Sequence, residues 1–180
     1  MALKATIFKA DVDIADIDHG YYQSHSLTVA RHPSETDERM MVRILAFALN
    51  AAEEPAFTRG ISNDDEPDLW HKDLSGTIVH WIETGLPDAK RIRKACNQSQ
   101  KVTIYAYGRR SLESWWQQNE KELKRYKNLR IISLLPDHSE ALTTLVTRTM
   151  KLQCTMQDDG IWLTNGTDSV EVSPHVLYPL

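Results

Sequence analysis

Cysteine is nearly absent from this chain. Cys96 and Cys154 are the only two among 180 residues, and no CxxC spacing links them to anything. They read as buried thiols, not as a disulfide or part of a zinc site. No His-x-x-x-His pair or Cys/His cluster offers zinc an alternative. A P-loop and a GxGxxG turn are both missing, so nucleotide-cofactor chemistry has no support in the sequence. No apolar run nears the ~18 residues of a membrane span. The opening MALKATIFKADVD lacks the apolar segment of a secretory signal, so a cytoplasmic address without a membrane partner is expected. Excess positive charge is lacking too: 21 Lys and Arg against 25 Asp and Glu give a formal net charge of −4. Any nucleic-acid surface must therefore be local. With no repeat, low-complexity tract or linker-like stretch, the expectation is one domain over 1–180 with a core large enough to fold unaided.

What is present is an alternation of strand and helix patterns that predicts a mixed α/β fold. Leu3 to Ile14 alternates, with a change of apolar face near Ile7-Phe8 that suggests a bulge or an edge passing between environments. Ser26 to Ala30 reads as a second strand. Ser34 with Asp37 three residues on resembles a capping box for a helix whose stripe is Met41, Ile44, Leu45, Ala48 and Leu49. The run Thr77-Ile78-Val79-His80-Trp81-Ile82 is apolar on both faces, as a buried central strand should be. Further along come a helix over 88–100, a strand over 102–107, a helix over 111–126, a strand over 129–135 and a short helix over 139–147. Residues 150–157 and 161–164 form a hairpin through Asp158-Asp159-Gly160.

The chemistry gathers around acids. Glu83 ends the Thr77–Ile82 run and precedes a Gly-Leu-Pro-Asp turn, at the kind of strand end where open α/β sheets place ligands. Upstream lies Asp64-Asp65-Glu66-Pro67-Asp68, whose four acids in five residues repel one another unless a cation or basic partner offsets them. Two such clusters suggest a divalent-metal site holding Mg²⁺ or Mn²⁺; the bland alternative is a solvated acidic turn. On the helix after Glu83, at about 100° per residue, Lys90 and Lys94 lie opposite the Ile92/Cys96 stripe and Arg91 flanks it. Lys90 is expected in solvent, whereas Arg91 and Lys94 divide evenly between site and solvent. Glu35 and Arg39 read as a surface i,i+4 ion pair. His32 reads as capping a helix start and His80 as a core imidazole with a hydrogen-bond partner. Of Trp115-Trp116, one is expected in the core and the other at its edge, rather than both as a base-stacking platform.

The strings HPSETDERM (32–40), FTRG (57–60), DDEP (64–67), WIETGLPD (81–88) and MKLQCTMQDDGIWL (150–163) resemble the YaeQ family of bacterial proteins along nearly the whole chain. That resemblance implies a variant of the PD-(D/E)XK nuclease-like fold: a central mixed sheet flanked by helices at 34–52 and 88–100, and an accessory sheet joining the amino-terminal strands to the carboxyl-terminal hairpin. It implies no established substrate. Two carboxylates in such a fold hold a divalent ion, and a lysine two residues after the strand acid faces the same way. Glu83 matches the strand acid, but Gly85 stands where the lysine belongs. Within DDEP, Asp65 ranks first as the partner acid and metal ligand with Glu83, although Pro67-Asp68 spells the motif's first two letters. Glu38, one turn before Met41-Val42, is the implied supporting acid on the first helix. The expected site is thus Glu38, Asp65 and Glu83 with Arg91 or Lys94 as the cation at phosphate. The expected activity is a metal-dependent nuclease acting on nucleic acid; the alternative is a non-catalytic nucleic-acid or protein-binding module on that scaffold.

Overall fold

The computed structural model describes residues 4–59 and 63–180; Leu3 of the first expected strand and Gly60 of FTRG lie outside them. Backbone contacts divide the chain into two compact units, Met1–Ala52 with Asp137–Pro174, and Glu53–Pro136 with His175–Leu180.

Unit 1 is built on a five-stranded sheet of order β10-β9-β8-β1-β2. Its strands are β1 (Thr6–Asp16), β2 (Tyr21–Arg31), β8 (Thr149–Gln157), β9 (Gly160–Thr164) and β10 (Ser169–Val172). The hairpin β8-β9 joins β1 through a parallel β1/β8 ladder, as expected for the accessory sheet. Strict alternation makes one face apolar, with Phe8, Ala10, Val12 and Ile14 buried along β1. The bulge expected near Ile7-Phe8 does not occur: β1 and β2 pair in unbroken register from Thr6↔Arg31 to Asp16↔Tyr21. Ile7 simply faces outward, and Phe8 turns inward beneath the Arg31 and Arg148 guanidiniums.

Helix α1 (Asp37–Leu49) also belongs to unit 1 and is buried over Met40–Ala48. Thr36, not Ser34, caps it by accepting from the Arg39 N–H, while Ser34 is engaged with His32. The Glu35–Arg39 pair is no surface pair, because Glu35 is buried and also accepts from Arg43 at 2.5 Å. Arg43 spends a further N–H on the Ala30 carbonyl, so this charge cluster ties the helix start to β2. Helix α4 (Pro136–Ala141) runs into a 3₁₀ turn over Leu142–Leu145, which packs on α1.

Unit 2 holds a six-stranded sheet of order β11-β7-β6-β5-β4-β3. The strands are β3 (Ala56–Phe57), β4 (Leu69–Lys72), β5 (Ile78–Thr84), β6 (Ser99–Ala106), β7 (Leu129–Ser133) and β11 (His175–Tyr178). β5, β6 and β7 are parallel, and β4 returns antiparallel to β5. Helices α2 (Ala89–Gln98) and α3 (Ser111–Leu123) make the crossovers. Trp81, Ile92, Val102, Ile104, Leu123 and Ile131 share one buried cluster, at about 1.5–3 kcal/mol for each aliphatic side chain fully removed from water. Trp115 joins that cluster and Trp116 packs at its margin. Cys96 and Cys154 are buried free thiols whose pKa values burial pushes up to about 11 and about 12.

Candidate functional site

The site in unit 2 starts from one ladder. Leu69 pairs with Ile82 across β4/β5, and the Asp68 N–H donates to the Ile82 carbonyl at 3.1 Å. One step further along that antiparallel ladder, Asp68 stands across from Glu83. Both carboxylates are nearly out of solvent, with Asp68 1% and Glu83 4% exposed. Asp68 Oδ2 accepts twice from Thr84, from its N–H at 2.7 Å and its hydroxyl at 2.9 Å. Glu83 Oε1 accepts from the Trp81 indole N–H at 2.9 Å and from Arg91 Nε at 2.8 Å. Neither donor reaches Oε2. Burial and then the neighbouring Asp68 charge push the Glu83 pKa up to about 7, against the opposing pull of Arg91 and the indole.

Asp88 caps α2 by accepting from the Arg91 N–H, which starts the helix so that Arg91 faces Glu83. The same guanidinium donates to the carbonyls of Asp64 at 3.0 Å and Glu66 at 2.7 Å. A planar fork with five donors suits this triple duty. One turn on, Lys94 bonds to the Asp65 carboxylate, which is exposed and held below the usual carboxylate range by that ammonium. Asp64, Asp88, Lys90, Arg91 and Lys94 line a cavity of about 370 Å³.

Asp65, Glu83, Arg91 and Lys94 thus belong to one network, but the carboxylate set against Glu83 is that of Asp68. Asp65 faces solvent at the tip of the turn. Reading the sequence as an acidic loop missed β4, since LWHK offers only four residues of strand pattern; Pro67-Asp68 was the available signal. Glu38 lies in unit 1, where its Oε1 accepts from the buried Ser139 hydroxyl at 2.7 Å. Position 85 has φ +97° with open space where a Cβ would sit. An L side chain rarely adopts that backbone angle, so a lysine is kept out by conformation and not by crowding. His80 is a core imidazole as expected, bonded to Glu53 through Nδ1 at 2.6 Å and Thr103 through Nε2 at 2.8 Å. Burial, above all, lowers its pKa.

Among the described residues, no group of three or more His, Cys, Asp or Glu is placed to hold a metal ion. The local donor set is two carboxylates, those of Asp68 and Glu83. That is hard-oxygen chemistry suited to Mg²⁺ or Mn²⁺, which take one or two carboxylates and fill the rest of their shell with water and phosphate.

The YaeQ protein family model matches residues 1–174. The chain belongs to the YaeQ family. It is 46% identical over 173 residues to "Uncharacterized protein YaeQ" of Escherichia coli (strain K12), covering 96% of each. The protein of the same name from Salmonella typhi is 45% identical over 172 residues, with 96% of this chain and 95% of that one covered. The crystal structure of the YaeQ protein from Xanthomonas axonopodis pv. citri superposes with a TM-score of 0.92 at 47% identity, over 96% of this chain and 98% of that one. That from Pseudomonas syringae gives 0.92 at 36%, over 98% and 97%. These neighbours share the mixed α/β architecture with two mixed sheets, and their names state no activity. No helix among the described residues is long and apolar enough to cross a membrane.

Proposed function

We propose that unit 2 carries a divalent-cation-dependent phosphodiester site that acts on nucleic acid. The observation that carries the reading is the Asp68–Glu83 pair, two nearly buried carboxylates set side by side, with the Arg91 guanidinium linking Glu83 to the acidic loop. The Asp68 charge raises the Glu83 pKa, and a divalent cation held by two buried carboxylates would offset that repulsion.

Asp68 and Glu83 are the residues that would hold Mg²⁺ or Mn²⁺, which supplies charge neutralisation at phosphate and a more acidic bound water. Thr84 fixes the orientation of Asp68, and the Trp81 indole fixes that of Glu83. Glu83, with its pKa raised to about 7, would serve as a ligand in its ionised form. Arg91 would keep its loop carbonyls and offer the rest of its fork to the non-bridging phosphate oxygens. Lys94, at the cavity wall, exchanges Asp65 for phosphate and takes the place that Gly85 cannot fill. Asp65 acts as a gate on Lys94 in this reading.

A second reading, a nucleic-acid-binding module without catalysis, is favoured by one observation: Arg91 already occupies the position beside Glu83 that a cation would take. The two separate in one experiment. Single- and double-stranded DNA and RNA are incubated with Mg²⁺ or Mn²⁺ and wild-type protein, Asp68→Asn or Glu83→Gln. Cleavage by wild type alone supports the enzyme, retention of intact strands supports the module, and neither cleavage nor binding contradicts both.

A further inference from the structure

The outward face of the unit 1 sheet takes no part in that chemistry, yet its rows are ordered. Register places Tyr22 opposite Ala15, Ala15 beside Thr155, and Thr155 opposite Trp162. The next row is Ser24, Asp13, Gln153 and Thr164, followed by Ser26, Asp11 and Lys151. Side chains two apart on a strand share a face, so all three rows look outward.

The first row is bracketed by two rings, Tyr22 at 61% and Trp162 at 38% exposure, with small residues between. Three strand spacings separate them, roughly 14 Å. The Trp162 ring reaches back over Gly160, whose missing side chain leaves room for it. A Cβ at position 160 would stand 2.5 Å from Cη2 and 3.0 Å from Cζ3. The Trp162 ring thus covers position 160 while the residue stays 38% exposed. Beside this row a cavity of about 490 Å³ is lined by Asp11, Asp13, Ser24, Ser26, Lys151 and Gln153, with the Asn165-Gly166 turn at one end. The Ser26 hydroxyl donates to Asp11 Oδ1 at 2.8 Å, and Ser24 donates likewise to Asp13 Oδ1.

We infer that this face binds a neutral, extended polyhydroxylated ligand, an oligosaccharide long enough to reach both rings. Two aromatic plates match the C–H faces of sugar rings, which bury apolar area on them. Carboxylate, amide and hydroxyl groups between the plates match vicinal hydroxyls, which both donate and accept. A polyanion is disfavoured: Asp11 and Asp13 outweigh Lys151 in the cavity, so phosphates would meet net repulsion where nucleic-acid binding needs net attraction. The separation of the rings excludes a monosaccharide from touching both.

The test titrates the protein with hexasaccharides of α-1,4-glucose, β-1,4-glucose and β-1,4-N-acetylglucosamine, and with a uridine decanucleotide, by calorimetry and by the indole N–H signals in NMR. At least one hexasaccharide should bind and shift the Trp162 indole signal. Gly160→Ala, which lifts the ring without a left-handed backbone angle to disturb, should weaken binding about tenfold, as should Tyr22→Ala. Tyr22 is exposed, so its variant keeps the test valid if the Gly160 change harms folding; thermal midpoints report which has happened. Failure of all three sugars at millimolar concentration, equal binding by the Tyr22 variant, or binding of the decanucleotide alone overturns the inference.

Discussion

Replacing Glu83 with glutamine removes a charge while keeping the Oε1 acceptor for Trp81 and Arg91. The wild-type carboxyl moves from 4.5, its ordinary value, to about 7 on folding, because burial and the Asp68 charge disfavour ionisation. Between those values the native state binds more protons than the unfolded chain, so stability falls as pH rises. The loss is absent below about pH 4, reaches about 1 kcal/mol near pH 5.5 and levels off at about 3 kcal/mol by about pH 8. Glu83 is only 4% exposed, so solvent screening takes little from that figure. Glu83→Gln escapes the loss entirely. Urea unfolding at several pH values should therefore show the variant more stable than wild type by about 3 kcal/mol near pH 8, with the gap closing in acid. A variant less stable than wild type at pH 8 would mean that the Arg91 ion pair outweighs burial and Asp68, and the reasoning would be wrong.

Thr84→Val leaves the Asp68 carboxylate with only the backbone donor of its two Thr84 bonds, and should lower stability by about 1–3 kcal/mol in denaturant titrations. Lys94→Ala should barely move the thermal midpoint, while the Asp65 carboxyl returns toward its ordinary pKa in an NMR titration, because Lys94 is what lowers it. Gly85→Lys should cost about 1–2 kcal/mol through its positive φ and should not raise any nuclease activity above wild type. Ile104→Ala, in the unit 2 core, should cost about 2–5 kcal/mol by calorimetric unfolding.

Long, strongly patterned elements were legible in the residues. TIVHWI announced β5 because a strand covered on both faces needs apolar groups at every position, and the Gly-Leu-Pro-Asp turn announced the start of α2. The β8-β9 hairpin followed from alternation around Asp158-Asp159-Gly160, whose two aspartates take the positive φ that the turn requires. Short elements were not legible. β4 is four residues whose identity as a strand comes from pairing with β5, a long-range term that local pattern does not contain. That is why Asp65, at the visible centre of the acidic run, ranked above Asp68. The Glu35 cluster failed for a related reason: i,i+4 spacing showed Arg39, whereas the buried partner Arg43 is eight residues away. Gly85 was read as a missing lysine, and only its φ shows that the backbone itself excludes one.

The central claim is that Asp68 and Glu83 together hold a divalent cation, and calorimetric titration with Mn²⁺ in two buffers of different ionisation enthalpy tests it most directly. Because Glu83 titrates near pH 7, binding at about pH 6 should release close to one proton, and binding at about pH 8 close to none. Asp68→Asn and Glu83→Gln should each weaken binding, and the glutamine variant should release no proton at either pH. Absence of Mn²⁺ binding to the wild type, or binding that both variants retain with unchanged proton release, would contradict the claim.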